Sequence, residues 1–298
     1  MMWKKTWGMA EGACIGLAVV LAGVTVQAAL GPVVWERLAW PVNVVALAIF
    51  VAAVLLGRAL SGRVYLLRFL TTAGAAVPAL AYAIVLTIVM GLTRQRPDGH
   101  WFSQMLTFWP FVLTYTYIAL LLGLLTLKRL THLSSWRRDV PFLLNHAGLL
   151  IAMVAATLGS GDMQRLRMEV FSGTPERRAM TEEQRVVRLP MTIELQRFIL
   201  ETYDDGSPRR YASEIIVQRD GEAPLHLTTD VNRPAEAYGW KIYQYGYDAR
   251  FVASDRQTSV LELVRDPWLP AVYTGIYMML AGAVLLLFGL QSKASERL

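Results

Sequence analysis

Few side chains in this sequence can bind a metal or attack a substrate. There are four histidines (His100, His132, His146 and His226) and one cysteine, Cys14. His146 stands apart, because it lies in "PFLLNHAGLLIAMVAATLGSGD", a run starting at Pro141 that is otherwise apolar for about the length of a membrane helix. An ionisable ring in such a run costs free energy, which makes it a functional hypothesis from the outset. A neutral imidazole offers a lone pair to iron from one ring nitrogen, while the other donates its proton to a nearby acceptor. The competing role is a ring that only hydrogen-bonds a neighbouring helix. The single cysteine excludes an intrachain disulfide, a C-x-x-C redox pair and a C-x-x-C-H haem-attachment site, and Cys14 itself reads as small apolar filler. No carboxylate pair, nucleophile–base set, phosphate loop or zinc-type ligand set stands out.

The elements that must position His146 follow from composition. Of 298 residues 54% are hydrophobic and 17% charged, too apolar for a soluble domain of this size. Six runs have the roughly 20-residue length that crosses a bilayer: about 10–31, 40–57, 69–92, 105–127, 140–160 and 268–290. No cleavable signal peptide is evident, since the first run is full length and more runs follow it. Asp139 is suited to cap the fifth run and Pro141 to its first turn, which starts that helix near 139–141 and sets His146 about 10 Å in from its end.

Charge orients the spans. Lys4, Lys5, Arg58, Arg63, Arg68, Lys128, Arg129, Arg137, Arg138, Lys293 and Arg297 fall on one side, whereas the opposite short loops carry Arg37, Arg94 and Arg96. The positive-inside rule then makes both termini cytoplasmic, puts His146 in the cytoplasmic half and residues 161–267 outside, in the periplasm or its equivalent. The net charge of +6 does not mark a nucleic-acid binder, because residues 161–267 hold 15 Lys/Arg against 18 Asp/Glu and the positive excess belongs to the span ends.

The outer segment reads as β-rich. "VVRLPMTIELQRFILETY", "RRYASEIIVQRD", "GWKIYQYGYD" and "TSVLELVRD" alternate or concentrate β-branched and aromatic residues, and "DDGSP" and Asp220-Gly221 signal turns. An antiparallel sheet or sandwich is expected, with residues 172–184 as loop or short helix. Tyr243, Tyr245 and Tyr247 fall on one strand face and Gln244 on the other. Those tyrosines read as a packed aromatic strand, with a partner-binding face as the alternative. Gly239 and Gly246 suit turns or bulges, and Asp266-Pro267 marks re-entry into the membrane. The expected organisation is a five-span membrane domain (1–160), a β-rich periplasmic domain (161–267) and a last span with a cytoplasmic tail (268–298).

A protein that holds haem between two histidines of its own spans needs at least two of them, and this chain has one; a second axial histidine would come from another chain. Three stretches now resemble the ResB (CcsB) family of System II cytochrome c biogenesis. "FLLNHAGLLIAMVAATLG" is similar to the family's histidine-bearing span before its outer domain. "LPMTIELQRFILETYDDGSPRRYASEIIV" resembles its strand, D-G-x-P turn and Ser-containing strand. "VNRPAEAYGWKIYQYGYD" followed by "LVRDPWLPAVYTGIYMMLAGAVLLLF" resembles its Asn-x-Pro, Tyr-Gln and Asp-Pro signatures before the last span.

The resemblance implies that the chain holds haem b as a transported substrate and delivers it across the membrane for attachment to apocytochrome c. It implies a CcsA-like haem-handling membrane partner and His146 as one axial ligand to the haem iron. The nine tryptophans are scattered, without a W-x-W-D-type cluster, so the expected role is a non-catalytic subunit of a haem lyase complex. His100, in "RPDGHWF", is a further candidate for touching haem on the outer face, against an ordinary interfacial loop histidine. His226 and His132 read as a strand and a loop residue. Two other functions stay open: a non-haem assembly factor whose outer domain binds a secreted partner, and an anchor subunit of a respiratory reductase.

Overall fold

The computed structural model describes residues 6–96, 99–247 and 257–295, the last seven of these by backbone alone. Lys4, Lys5, Asp248 and Arg297, and the side chain of Lys293, lie outside the described residues. The chain divides into two compact units, Met1–Asp162 together with Trp268–Leu298, and Met163–Pro267.

The first unit is helical. Its helices are α1 (Met9–Leu30), α2 (Val42–Leu60), the short α3 (Tyr65–Phe69), α4 (Ala73–Leu92), α5 (Trp109–Leu130), α6 (Trp136–Gly159) and α7 (Leu269–Ser295). Six are long and apolar enough to cross a membrane, all but α3. Their outward faces carry Leu17, Leu21, Leu55, Leu56, Ile84, Ile88, Leu287 and Phe288, all exposed. So large an apolar surface is expected of a bundle solvated by lipid. The chain is a multi-pass membrane protein.

Small residues set the helix contacts, as they must where lipid removes any hydrophobic gain from helix pairing. A Cβ on Gly23 of α1 would lie 2.5 Å from the Pro110 Cα at the start of α5. There the buried Gln27 accepts the Trp109 amide at 3.1 Å, satisfying one of the amides that a helix start leaves open. The antiparallel α6–α7 pair also meets backbone to backbone. A Cβ on Gly148 would meet the Gly275 carbonyl oxygen at 2.6 Å, one on Gly275 the Ala152 nitrogen at 2.7 Å, and one on Gly159 the Trp268 Cβ at 2.6 Å.

Most expected boundaries move by one to five residues, the fourth span beginning at Trp109 instead of 105 and the last ending at Ser295 instead of 290. The third span begins at Ala73, because α3 and a turn occupy residues up to Thr72. The fifth begins at Trp136, with Ser135 as N-cap, so Pro141 lies inside the helix instead of in its first turn. There it removes the helical hydrogen bond to the Arg137 carbonyl and crowds that oxygen with its ring. His146 consequently lies about 15 Å from the helix start.

The second unit is an eight-stranded antiparallel sheet in the order β5-β4-β3-β2-β1-β8-β7-β6. The strands are β1 (Gln164–Phe171), β2 (Glu176–Met180), β3 (Val186–Thr202), β4 (Pro208–Arg219), β5 (Leu225–Asp230), β6 (Ala235–Ala237), β7 (Trp240–Tyr247) and β8 (Thr258–Arg265). Residues 172–184, expected as loop or helix, thus contain β2. Glu176 and Arg177 are half-buried, Arg178 and Met180 exposed, and only Ala179 is buried, which left little apolar signal to read. The sheet curls on itself. Thr229 of β5 donates to the Ile242 carbonyl of β7 at 2.6 Å, although these strands stand near opposite ends of the hydrogen-bonded order. The interior is filled by Met168, Val170, Met191, Ile193, Leu195, Ile215, Ile242, Leu261 and Leu263. Gly206, Gly221 and Gly239 occupy positive φ in the hairpin turns, a region open to glycine at no steric cost.

One strand departs from simple alternation. A register shift between Gln244 and Gly246 bulges β7 against β8. Tyr243 is half-buried and Tyr245 exposed, so the expected packed aromatic face does not form there, whereas Tyr247 packs on Phe198 and Tyr211, with ring centroids 4.9 and 5.5 Å apart. The three tyrosines therefore do not share a face.

Candidate functional site

α6 places His146 by rotation as well as by depth. Asn145, Gly148, Ala152 and Gly159 form its seam against α7, where Asn145 fits over Gly282. His146, one residue on, is turned about 100° from Asn145, toward the side carrying Leu150 and Met153. Leu150 approaches Gly123 of α5 and Met153 packs against the core of that helix. The ring is half-buried by this chain. Its Nδ1 lies 2.9 Å from the Phe142 carbonyl oxygen one turn back, and it stacks on the Phe142 ring with centroids 3.8 Å apart and planes 19° from parallel.

A carbonyl only accepts, so Nδ1 carries the proton and, in a neutral ring, the lone pair is on Nε2. Among the described residues Nε2 has no hydrogen-bond partner. The ring is thus bonded within its own helix, and no bond to a neighbouring helix of this chain occupies it. The donor set fits metal ligation: an oriented imidazole, its tautomer fixed by a backbone acceptor, with the other nitrogen free.

Support for Phe142 comes from α5. The Arg129 guanidinium lies 5.4 Å from the Phe142 ring centroid and pairs with Asp139, whose side chain is 2% exposed. The other Asp139 carboxylate oxygen accepts the amides of Ser134 and Ser135, at 2.7 Å for the latter. Asp139 is therefore not the N-cap that the sequence suggested; from inside the helix it reaches back to the Ser134 and Ser135 amides, and it also fixes Arg129. In the sequence Arg129 reads as topological charge, and no local pattern joins it to Asp139, because the contact is made across two helices.

A second polar knot, not anticipated, sits at the opposite end of the bundle. Asp162 accepts the Trp40 amide at 2.7 Å, Asn43 Nδ2 at 2.6 Å and Trp268 Nε1 at 2.7 Å. Burial alone would raise the Asp162 pKa, but these three donors outweigh it and hold the carboxyl below its ordinary value.

The other histidines do not join His146. His100 is exposed, just before a 3-10 turn (Trp101–Thr107) at the end of the bundle away from the α6 start. His226 lies on β5, 3.3 Å from Gln196. His132 contacts Arg58 at 2.9 Å. Cys14 is exposed on α1. In the sheet, Ser213 donates to Gln244 at 2.6 Å and Gln244 to Ser259 at 2.9 Å, all within the buried interior. Ser213 and Gln244 belong to two separate stretches that carried the family resemblance, and this network brings them together.

A membrane helix bundle with one oriented intramembrane imidazole, joined in one chain to a curled antiparallel sheet, defines the class: a helical membrane protein with a β domain. Residues 136–258 match the protein-family model described as the ResB-like family, and that stretch is a ResB-like region. The match runs from the first residue of α6 to the first of β8. It bears out the resemblance read from the sequence over that range and leaves the last helix outside. No curated protein matches the chain. A solved structure titled Cytochrome c Heme Lyase CcmF aligns over 72% of this chain, with 16% identity and a TM-score of 0.36. The chain spans 38% of that protein's length.

Proposed function

We propose that this protein is a ResB-type subunit of a System II cytochrome c maturation complex, which holds haem in the membrane and passes it to the outer side for attachment to apocytochrome c. The ResB-like region supports the role in cytochrome c biogenesis. Haem is the cargo, and His146 Nε2 is one axial ligand to its iron. The observation that carries this reading is the Nδ1 bond to Phe142 in a half-buried ring, which orients the imidazole and leaves its second nitrogen available. The second ligand and the closing wall of the site come from a CcsA-like membrane partner. Residues 161–267 lie on the periplasmic side and both termini in the cytoplasm, in keeping with the basic residues at 58, 63, 68, 128, 129, 137 and 138. His100 is retained as a weaker candidate for haem contact on the outer face.

The test is co-expression with a CcsA-like partner and a reporter c-type cytochrome. The purified complex is expected to show a Soret band that weakens or shifts in His146→Gly and is restored by added imidazole, with reporter maturation falling at least tenfold. An unchanged spectrum together with normal maturation would reject haem ligation and favour an assembly factor without haem. Co-purification with a reductase subunit instead of a CcsA-like protein would favour the respiratory-anchor reading.

A further inference from the structure

A cleft of about 220 Å³ opens between the ends of α2 and α5 and the α3 segment, at the end of the bundle where α6 begins. Arg58, Arg68, Lys128 and His132 line it, and the buried Leu124 closes its floor. No carboxylate lines the cleft, and among the described residues none of the three Arg/Lys side chains forms an ion pair.

Neutral donors and acceptors hold these cations in place instead. Arg58 donates to Thr131 Oγ1 at 2.9 Å and to Ser61 Oγ at 3.2 Å, and it faces His132 Nε2 at 2.9 Å. Lys128 Nζ donates to Thr71 Oγ1 at 3.0 Å, and Arg68 lies over the Tyr65 ring. Convergent cations without a counter-charge, at the rim of an apolar bundle, form an anion site. The exposed Leu56, Leu60, Leu66 and Leu130 on the adjoining helices offer apolar surface to whatever carries that anion.

We infer that this cleft binds the phosphate of an anionic phospholipid headgroup, with the acyl chains lying along α2. A basic recess between helix ends at the depth of the headgroups meets a phosphate ester there at high local concentration. Gly62 stands at its mouth, where an added Cβ would meet nothing within 4 Å.

The test uses the full-length protein in neutral detergent, with native mass spectrometry counting lipids retained from added phosphatidylglycerol or phosphatidylcholine. Wild type is expected to retain phosphatidylglycerol selectively. Arg58→Gln with Lys128→Gln is expected to weaken retention by about fivefold per cation removed. Gly62→Asp, in an open turn that accepts the side chain, is expected to weaken it comparably and so covers the case in which the double variant folds poorly. Arg63→Gln, a nearby cation outside the cleft, is expected to change nothing. Equal retention of both lipids, or an equal loss in Arg63→Gln, overturns the proposal. Inorganic phosphate that binds as tightly as the lipid also overturns it, assigning the cleft to free phosphate. Haem spectra of the same variants should match wild type, which separates this site from His146.

Discussion

At His146 the free-energy cost of a polar ring in an apolar helix is met by half. One nitrogen is bonded to the Phe142 carbonyl and the other is not, and a bonded ring is far cheaper to keep in a membrane than a free one. The neighbouring Asp139 shows the opposite extreme, with both oxygens engaged and its side chain 2% exposed. Removing its charge would leave Arg129 without a partner. Asp139→Asn is expected to destabilise the protein in detergent by about 1–3 kcal/mol, below the figure for a fully buried pair because Arg129 keeps 28% exposure. Thermal unfolding measures this, and an unchanged midpoint would rule the pairing out as a stabilising contact. His146 was legible in the sequence because an ionisable residue in a leucine-rich run is conspicuous. The Arg129–Asp139 pair and the Asp162 knot were not, since each joins residues on different helices and their individual types are ordinary at span ends.

At the level of elements, α6 and α7 act through glycine. Gly148 and Gly275 let the two backbones meet, and Gly282 accommodates Asn145, one residue from the proposed ligand. Gly275→Leu is expected to force the helices apart, at a cost of about 1–3 kcal/mol, and to perturb the Soret band of the complex although it touches no part of the imidazole. A variant that keeps both the wild-type midpoint and the wild-type spectrum would show that this seam does not position His146. The six spans were readable because their length and uniform apolarity are set by the bilayer. The helix faces were not, because uniformly apolar helices carry little periodic signal. In the sheet, strands with alternating burial announced themselves, whereas β2 is short and charged, and the bulge that turns Tyr247 inward depends on pairing with β8.

For the molecule as a whole, acid acts through carboxylates that the fold holds in their charged form. The β domain carries carboxylates held down by arginines. Glu176, bonded by Arg178, has its pKa lowered to about 2 from an ordinary 4.5, and Asp230 is lowered by Arg210. A lowered folded-state pKa contributes stability that is complete above the unfolded value and is lost as pH falls toward the folded one. Strand amide protection in the intact protein is therefore expected to be flat from pH 7 to 5 and to fall between about 4.5 and 2. A loss that begins near pH 6 would point to a group other than these carboxylates. The helical unit should lose protection over the same acid range around Asp162, whose carboxyl is likewise held below its ordinary value.

The sheet begins and finishes side by side, with Gln164 of β1 paired to Arg265 of β8, and Asp162 bonded to Trp268 closes the helical unit just outside that pair. The β domain is in effect a cassette spliced into a helical hairpin. Its two splice points already touch, so the hairpin does not require the cassette in order to close.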